Sequence, residues 1–466
     1  MNRITFSIAG GLDSAAISKI RDDAFELLER VGVQVDDDDV RRDLARHDGL
    51  RIEGDLVYYS LGLVERFIED VRRQNTEYML NVPGREPLVT PPFLCMRVWD
   101  ERADRARPAT VGDLADAARL LDSYGVWGVP PVHPQEVPAN LRQVVTAKVS
   151  YENSREIGSF VQATTIPEAE ILSCMGEAAG RKGPHVCMQI MHSPLKLDVN
   201  SMRLLLEMKR TNRTPRGITV GAGAMPLAGA VSPLLMPGFL AQGLAEALAA
   251  YGTGKLVNDN VLGYCSIFPG TFDMRYTGLS DAAPEQILYW IAIRQISKEI
   301  FGATPGGDFA VTGKVYDAQT GAEKMAAILT AVLSGATTFS NVGMTPTDEV
   351  FHFEGAIIDM EILSYAWRTR RGLGWEDTPT ADIVREGRAE STFMTHPTTM
   401  RFRDEVWQPQ LFTRDGLNQW IADGSLSLLS RAWKIAHERI AENGYRPDAD
   451  VQSELDRLME RARKEL

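Results

Sequence analysis

The sequence predicts an α/β fold, a closed (β/α)8 TIM-type barrel with an N-terminal helical appendage and a C-terminal helical extension. Three observations lead there. Short apolar runs of strand character alternate with amphipathic helical windows from residue 108 to 370, the order of a parallel sheet with helical crossovers. The number of such units, and the lack of a GxGxxG turn, favour a closed barrel over an open dinucleotide-binding sheet. At 466 residues and 44% hydrophobic composition, the chain can bury a core of that size within one catalytic unit.

Residues 1–107 read as the appendage. Residues 14–31 keep a helical stripe of Ile17, Ile20, Ala24, Leu27, Leu28 and Val31, with Ser14 as N-cap and Gly32 as the stop. A second helix is expected over residues 61–72, with strand-like residues 56–59 between the two. Thr110 and Asp113 then open a well-capped helix at the entry to the barrel. Strands are expected at 126–132, 157–163, 186–191, 218–222, 261–267 and 337–342. Helices are expected at 167–179, 201–210, 238–251, 284–301 and 321–334. Residues 371–466 form the extension. Its apolar side carries Trp420, Ile421, Leu426, Leu428, Leu429, Ala432, Trp433 and Ala436, a stripe that predicts a homo-oligomer. The charge runs at 36–39 and 368–371 read as solvated faces.

Composition excludes several function classes. The 50 basic and 63 acidic residues give a net charge of −13, which argues against a nucleic-acid or anionic-membrane partner. The four cysteines, Cys95, Cys174, Cys187 and Cys265, form no CxxC pair and fit a reduced cytoplasmic setting. The first residues lack the apolar core of a signal peptide, and no run approaches the roughly 18 apolar residues of a membrane span. No P-loop, GxSxG elbow or cobalamin-binding DxHxxG sequence occurs.

In a barrel, the chemistry sits at the C-terminal ends of the strands. That directs attention to the segments at 192–195, 225–238, 264–276, 312–323 and 341–354. Tyr264, Phe268, Phe272 and Tyr276 recur every four residues. They read either as packing or as part of an aromatic cage, where each ring contributes about 0.5–2 kcal/mol to binding a quaternary ammonium. Lys314 reads as a surface lysine, as a carboxylate-binding group or as a Schiff-base lysine of a barrel lyase. His352, between Phe351 and Phe353, is either a buried structural histidine or a hydrogen-bond donor to substrate. His185, Cys187 and His192 lie close in sequence. His185, however, falls at the start of its strand, away from the catalytic end, so zinc is disfavoured and no metal is assigned.

The run from Met225 through Gly229, Ser232, Pro233 and Gly238 to Glu246 resembles the trimethylamine methyltransferase (MttB-like) family. So do Arg107–Asp113 with Asp122, His192–Leu195, Phe272–Arg275, Asp317–Lys324, His352–Gly355 and residues 393–411, which spread the resemblance across essentially the entire chain. It departs in carrying Thr398 where a histidine is expected. The resemblance implies a methyltransferase that moves a methyl group to the Co(I) of a separate corrinoid-binding protein, with no cofactor held tightly by this chain. Trimethylamine enzymes of the family carry pyrrolysine, and this chain has none; Lys314 stands in the approximate region. The resemblance therefore points to relatives that demethylate quaternary amines such as glycine betaine. Tyr264, Phe268 and Glu246 are expected to hold the cationic headgroup, and Lys314 and His352 to orient the rest of the molecule. The alternatives are a non-catalytic amine-binding relative and a Schiff-base barrel lyase.

Overall fold

The computed structural model describes residues 2–81, 87–93, 95–181, 183–221 and 225–466. It is a mixed α/β structure in which parallel strands alternate with helices through the middle of the chain. Val186–Gln189, Ile218–Gly221 and Leu262–Tyr264 pair in parallel, with Cys187 opposite Thr219 and Thr219 opposite Leu262. Gly307–Asp308, Thr338–Ser340 and Leu88–Val89 form a second parallel set. Val350–Phe351 runs parallel to Arg97–Asp100, which turns back as a hairpin with Arg105–Pro108. Among the described residues the pairings make small sheets of two to five strands, where one closed eight-stranded sheet was expected. Residues 88–100, read from sequence as part of a helical appendage, pair with strands beyond residue 337.

The expected helices are present, most with shifted ends. Ile166–Ala178, Val199–Arg210, Met236–Val257, Pro284–Phe301 and Ala318–Leu333 follow their strands, and Leu61–Asn81 runs longer than predicted. Thr110 caps Val111–Asp122 in the reciprocal box with Asp113 that the sequence predicts. The first helix is capped instead by Asp13, whose carboxylate accepts the Ala16 N–H, and it ends in a π-turn at Leu27–Val31 before Gly32. Residues 126–132 and 157–163 give isolated parallel bridges, Val132 to Cys95, Gly128 to Ile157 and Val161 to Val186. Their glycines and the positive φ of Phe160 interrupt a regular ladder. Ala222 of the predicted 218–222 strand lies outside the described residues. No helix among the described residues is long and apolar enough to cross a membrane.

The buried residues form two cores. The first gathers Leu28, Val57, Ile190, Val220, Tyr251 and Ile293 around Met236–Val257. That helix is enclosed on nearly every side, as its uniformly small and apolar sequence requires. At Gly252 a side chain would run into the Phe67 ring at 2.0 Å, so the absence of a Cβ there lets Leu61–Asn81 close on it. The second core gathers Val98, Leu121, Phe309, Phe339, Phe351 and Ile362. Two C-terminal helices pack on the body. Leu428–Glu442 lies on Phe353–Arg370 and Val111–Asp122, and Ala449–Glu465 on Ile166–Ala178 and Ala139–Asn153. Of the apolar side predicted there, Ala432 and Ala436 are buried, while Ile421, Leu426 and Leu429 are exposed.

Candidate functional site

The sequence-selected residues fall into two groups, one beside each core. In the first, Glu246 is fully buried on Met236–Val257. Its carboxylate accepts the Ser193 hydroxyl at 2.7 Å, the Leu195 N–H at 2.9 Å and the Gln242 amide at 2.8 Å. Burial raises its pKa and these hydrogen bonds oppose the rise. Both oxygens are engaged, so Glu246 clamps the 192–195 turn and turns no oxygen toward a ligand.

Tyr264 ends its strand and lies flat across Gly221, where a Cβ would sit 2.4 Å from the ring. The phenol oxygen receives the Cys187 thiol at 3.7 Å. Burial pushes the thiol up to about 11 and the phenol well above its ordinary value, so both keep their protons at neutral pH. Phe268 is part-exposed and meets Trp290 edge to face at 6.4 Å. No ring pair among the described residues joins Tyr264 to Phe268, Phe272 or Tyr276, and Tyr276 is exposed beside Arg275. The four-residue spacing therefore does not bring these rings into direct contact, because Gly270–Asp273 is a strand and not a helix.

The second group centres on His352. Its ring is buried, stacked on Trp99 at 5.3 Å and met edgewise by Tyr316 at 5.1 Å. Nε2 lies 2.9 Å from the Thr345 hydroxyl, and Nδ1 lies 3.2 Å from Glu354. Thr345 donates its proton to the Lys314 carbonyl at 3.1 Å, so it accepts from His352, which fixes the Nε2–H tautomer. Burial, reinforced by the Lys324 charge, lowers the imidazole to about 3. Neutral Nδ1 then faces the Glu354 carboxyl. Its pKa is raised by burial, while that of neighbouring Glu101 reaches about 8 through burial and the charge of Glu354. Trp99 and Glu101, which complete this cluster, lie some 250 positions away from His352 along the chain.

Lys314 is exposed and its ammonium donates to the Thr312 carbonyl at 2.5 Å. What joins it to His352 is its own carbonyl, through Thr345. The lysine that is buried is Lys324. Its ammonium donates to Asp359 at 2.7 Å, the Tyr316 hydroxyl at 2.9 Å and the Met344 carbonyl at 3.0 Å. The same Asp359 oxygen accepts the Gly343 N–H at 2.7 Å and the Tyr316 hydroxyl at 2.9 Å. Burial lowers Lys324 and raises Asp359, and their mutual attraction opposes both shifts. This pair ties the 341–344 turn to the 314–316 loop.

Sequence reading missed Asp308 and Asp281 around that loop, although it selected the segment that carries Glu323. Asp308 ends its strand and accepts the Ala310 N–H at 2.9 Å and the Asn341 amide at 2.7 Å, both on Oδ1. Burial, with the charges of Asp281 and Asp348, pushes its carboxyl up to about 6. Asp281 accepts from Gln286 at 2.5 Å and from Thr347, and its carbonyl receives the Thr312 hydroxyl at 2.9 Å. Glu323 accepts the N–H groups of Thr312 and Gly313 at 3.1 and 3.0 Å. The Gly306-Gly307-Asp308 run, a carboxylate at the end of a glycine-thinned strand, was the available signal. The region is thus anionic, with an aromatic wall at Trp290 where a narrow cavity reaches Asp308 between Gln286, Arg294 and Ala310. The buried Arg294 guanidinium shares it with Asp308, and it offers no activated nucleophile among the described residues. No group of three or more metal-ligating side chains converges among the described residues.

Residues 4–466 match the family model described as trimethylamine methyltransferase (MTTB). The trimethylamine methyltransferase MttB of Methanosarcina barkeri (strain Fusaro) is 26% identical over 293 residues, 62% of this chain and 58% of that protein. The glycine betaine methyltransferase of Desulfitobacterium hafniense (strain Y51) is 22% identical over 422 residues, 87% of each chain. A trimethylamine methyltransferase MttB of D. hafniense (strain DCB-2) is 23% identical over 363 residues, 75% of this chain and 71% of that protein. The match to the Methanosarcina protein spans less than two thirds of its length.

Proposed function

Because this chain belongs to the trimethylamine methyltransferase (MTTB) family, we propose that it transfers a methyl group from a quaternary amine to the Co(I) of a corrinoid carried by a separate protein. The family match over residues 4–466 carries the proposal. The quaternary class is favoured by the even coverage of a glycine betaine methyltransferase, 87% of both chains. The proposal includes a (β/α)8 barrel. In support, parallel pairings run from Leu88–Val89 through Thr338–Ser340 to Gly307–Asp308, and from Leu262–Tyr264 back through Ile218–Gly221 and Val186–Gln189 to Val161.

A quaternary ammonium leaves as a neutral tertiary amine, so its methyl needs alignment and desolvation and no acid or base. The protonated thiol and phenol of Cys187 and Tyr264 and the neutral imidazole of His352 are consistent with such a reaction. In this reading the free Oδ2 of Asp308 takes the headgroup role first given to Glu246, with Trp290 and Phe268 as aromatic neighbours. The Lys314 ammonium meets a carboxylate on the substrate. His352 holds the Lys314 loop from behind.

The test is product formation. The chain, a reduced corrinoid protein and glycine betaine should yield dimethylglycine by proton NMR, and Asp308→Asn should raise KM at least tenfold with a smaller change in kcat. Binding of the amine without demethylation would make the chain a non-catalytic relative. Unchanged kinetics in Asp308→Asn would remove Asp308 from the site.

A further inference from the structure

Trp127 and Phe160 meet edge to face, with ring centroids 5.6 Å apart and planes inclined at 64°. They stand on neighbouring segments of one ladder. The Trp127 N–H donates to the Val89 carbonyl at 3.1 Å, Gly128 bridges Ile157, and Val161 bridges Val186. The apolar residues around them turn toward the cores: Val126 and Ile157 are buried in the second, Val161 and Val186 in the first. By the alternation of a strand, Trp127 therefore points to the opposite side. Phe160 does the same, since its ring meets that of Trp127. Both rings are half-buried.

That side carries groups with no partner in the chain. In the set Val186–Gln189, Ile218–Gly221 and Leu262–Tyr264, the core side is sealed by Val186, Met188, Ile218 and Val220. On the other side Gln189 and Leu262 are exposed, and the buried Thr219 hydroxyl has no hydrogen-bond partner among the described residues. The buried indole N–H of Trp127 is unpartnered among them too. Buried donors of this kind are normally met by solvent or ligand.

Phe160 is also held in an uncommon conformation. Its φ of 60° lies in the left-handed region, which a bulky side chain seldom enters. The turn before it is locked. The N–H groups of Gly158 and Ser159 both donate to the Gly128 carbonyl, at 2.8 and 3.0 Å. Gly158 lies on the Tyr151 ring, where a Cβ would come within 2.6 Å. Strain kept in place by its surroundings marks a side chain whose direction matters.

We infer that Trp127 and Phe160 are two walls of the substrate site and hold a trimethylated nitrogen against their ring faces. The inference rests on the quaternary-amine reading and names two rings beyond Trp290 and Phe268. A quaternary nitrogen has no N–H to donate. Ring faces distinguish it from a neutral group of the same shape through their quadrupole. Rings inclined at 64° form a corner in which a compact cation meets both.

The test is calorimetric binding without the corrinoid protein. Glycine betaine is compared with 3,3-dimethylbutanoate, which has the same shape with carbon in place of nitrogen. Wild type should prefer glycine betaine by about tenfold. Trp127→Leu should remove most of that preference while changing the affinity for 3,3-dimethylbutanoate far less. Phenylalanines of increasing fluorination, introduced at position 160, keep the ring's shape and should weaken glycine betaine step by step. A preference for glycine betaine that persists in Trp127→Leu, or that fluorination at 160 leaves unchanged, would overturn the inference alone. Failure of the wild-type chain to bind glycine betaine, choline or tetramethylammonium would remove the quaternary-amine reading with it.

Discussion

The two cores bury their charged groups in different ways. Beside the first, the buried carboxylates that hold turns are satisfied by neutral donors, as Glu246 is by Ser193 and Leu195 and Glu168 by Thr164, while Asp37 and Asp43 at its edge meet Arg203 and Lys209. Around the candidate loops of the second, charges face charges, while Glu361 farther along takes backbone N–H donors. Lys324 meets Asp359, Glu101 meets Glu354, and Asp308 feels Asp281 and Asp348. The loops that carry candidate chemistry thus rest on an ionic scaffold, and Met236–Val257 on an apolar one. A neutral clamp loses one hydrogen bond when altered, whereas a broken buried ion pair strands a charge.

That contrast is open to breaking. The largest effect should follow Lys324→Met, which leaves Asp359 charged and unpaired and should cost about 3–5 kcal/mol in urea unfolding. A loss below about 1 kcal/mol would erase the distinction between the cores. Next comes His352. Its folded pKa of about 3 lies below the unfolded value near 6.5, so the unfolded chain binds the extra proton between those limits. Its contribution is complete above pH 6.5 and falls by up to ~1.4 kcal/mol per unit as pH drops toward 3. His352→Gln should flatten that slope in unfolding midpoints measured from pH 6.5 to 4.5. Asp308, with its folded pKa raised to about 6, gives the opposite sign, losing stabilisation as pH rises through 6. The slope is therefore read as the difference between variant and wild type.

Smaller changes sharpen the comparison. Glu246→Gln keeps the shape but places an amide donor among three donors, and should cost about 1–3 kcal/mol. Lys314→Met should change stability by less than about 0.5 kcal/mol, because its ammonium is exposed and, among the described residues, bonded only to Thr312. Its effect should appear in KM for a carboxylated amine and not in thermal unfolding.

Much of this arrangement was legible in the sequence where local rules decide it. The Thr110–Asp113 box, the strand at residues 218–221 and the helix beginning at Pro284 follow from capping, alternation and proline placement. Single-residue environment was less legible. Lys314 and Lys324 differ by ten positions, and only the helix Ala318–Leu333 turning inward at Lys324 separates an exposed lysine from a buried one. The partners of His352 come from Arg97–Asp100 and its turn, a contact that no periodicity in the 341–354 segment encodes. Asp308 escaped because a two-residue strand that begins in a glycine pair carries no alternating pattern. The aromatic spacing at 264–276 says little about which rings meet, since the segment is strand and turn and a four-residue spacing there does not place rings side by side.

The most direct measurement is single-turnover methyl transfer. The chain is mixed with Co(I) corrinoid on a carrier protein and each of glycine betaine, proline betaine, carnitine, choline and trimethylamine, while the Co(I) absorbance is followed. The proposed chemistry predicts conversion to methyl-Co(III) with a quaternary amine and none with trimethylamine. Conversion with trimethylamine alone, or with no amine on a carrier shown to be active, would contradict it.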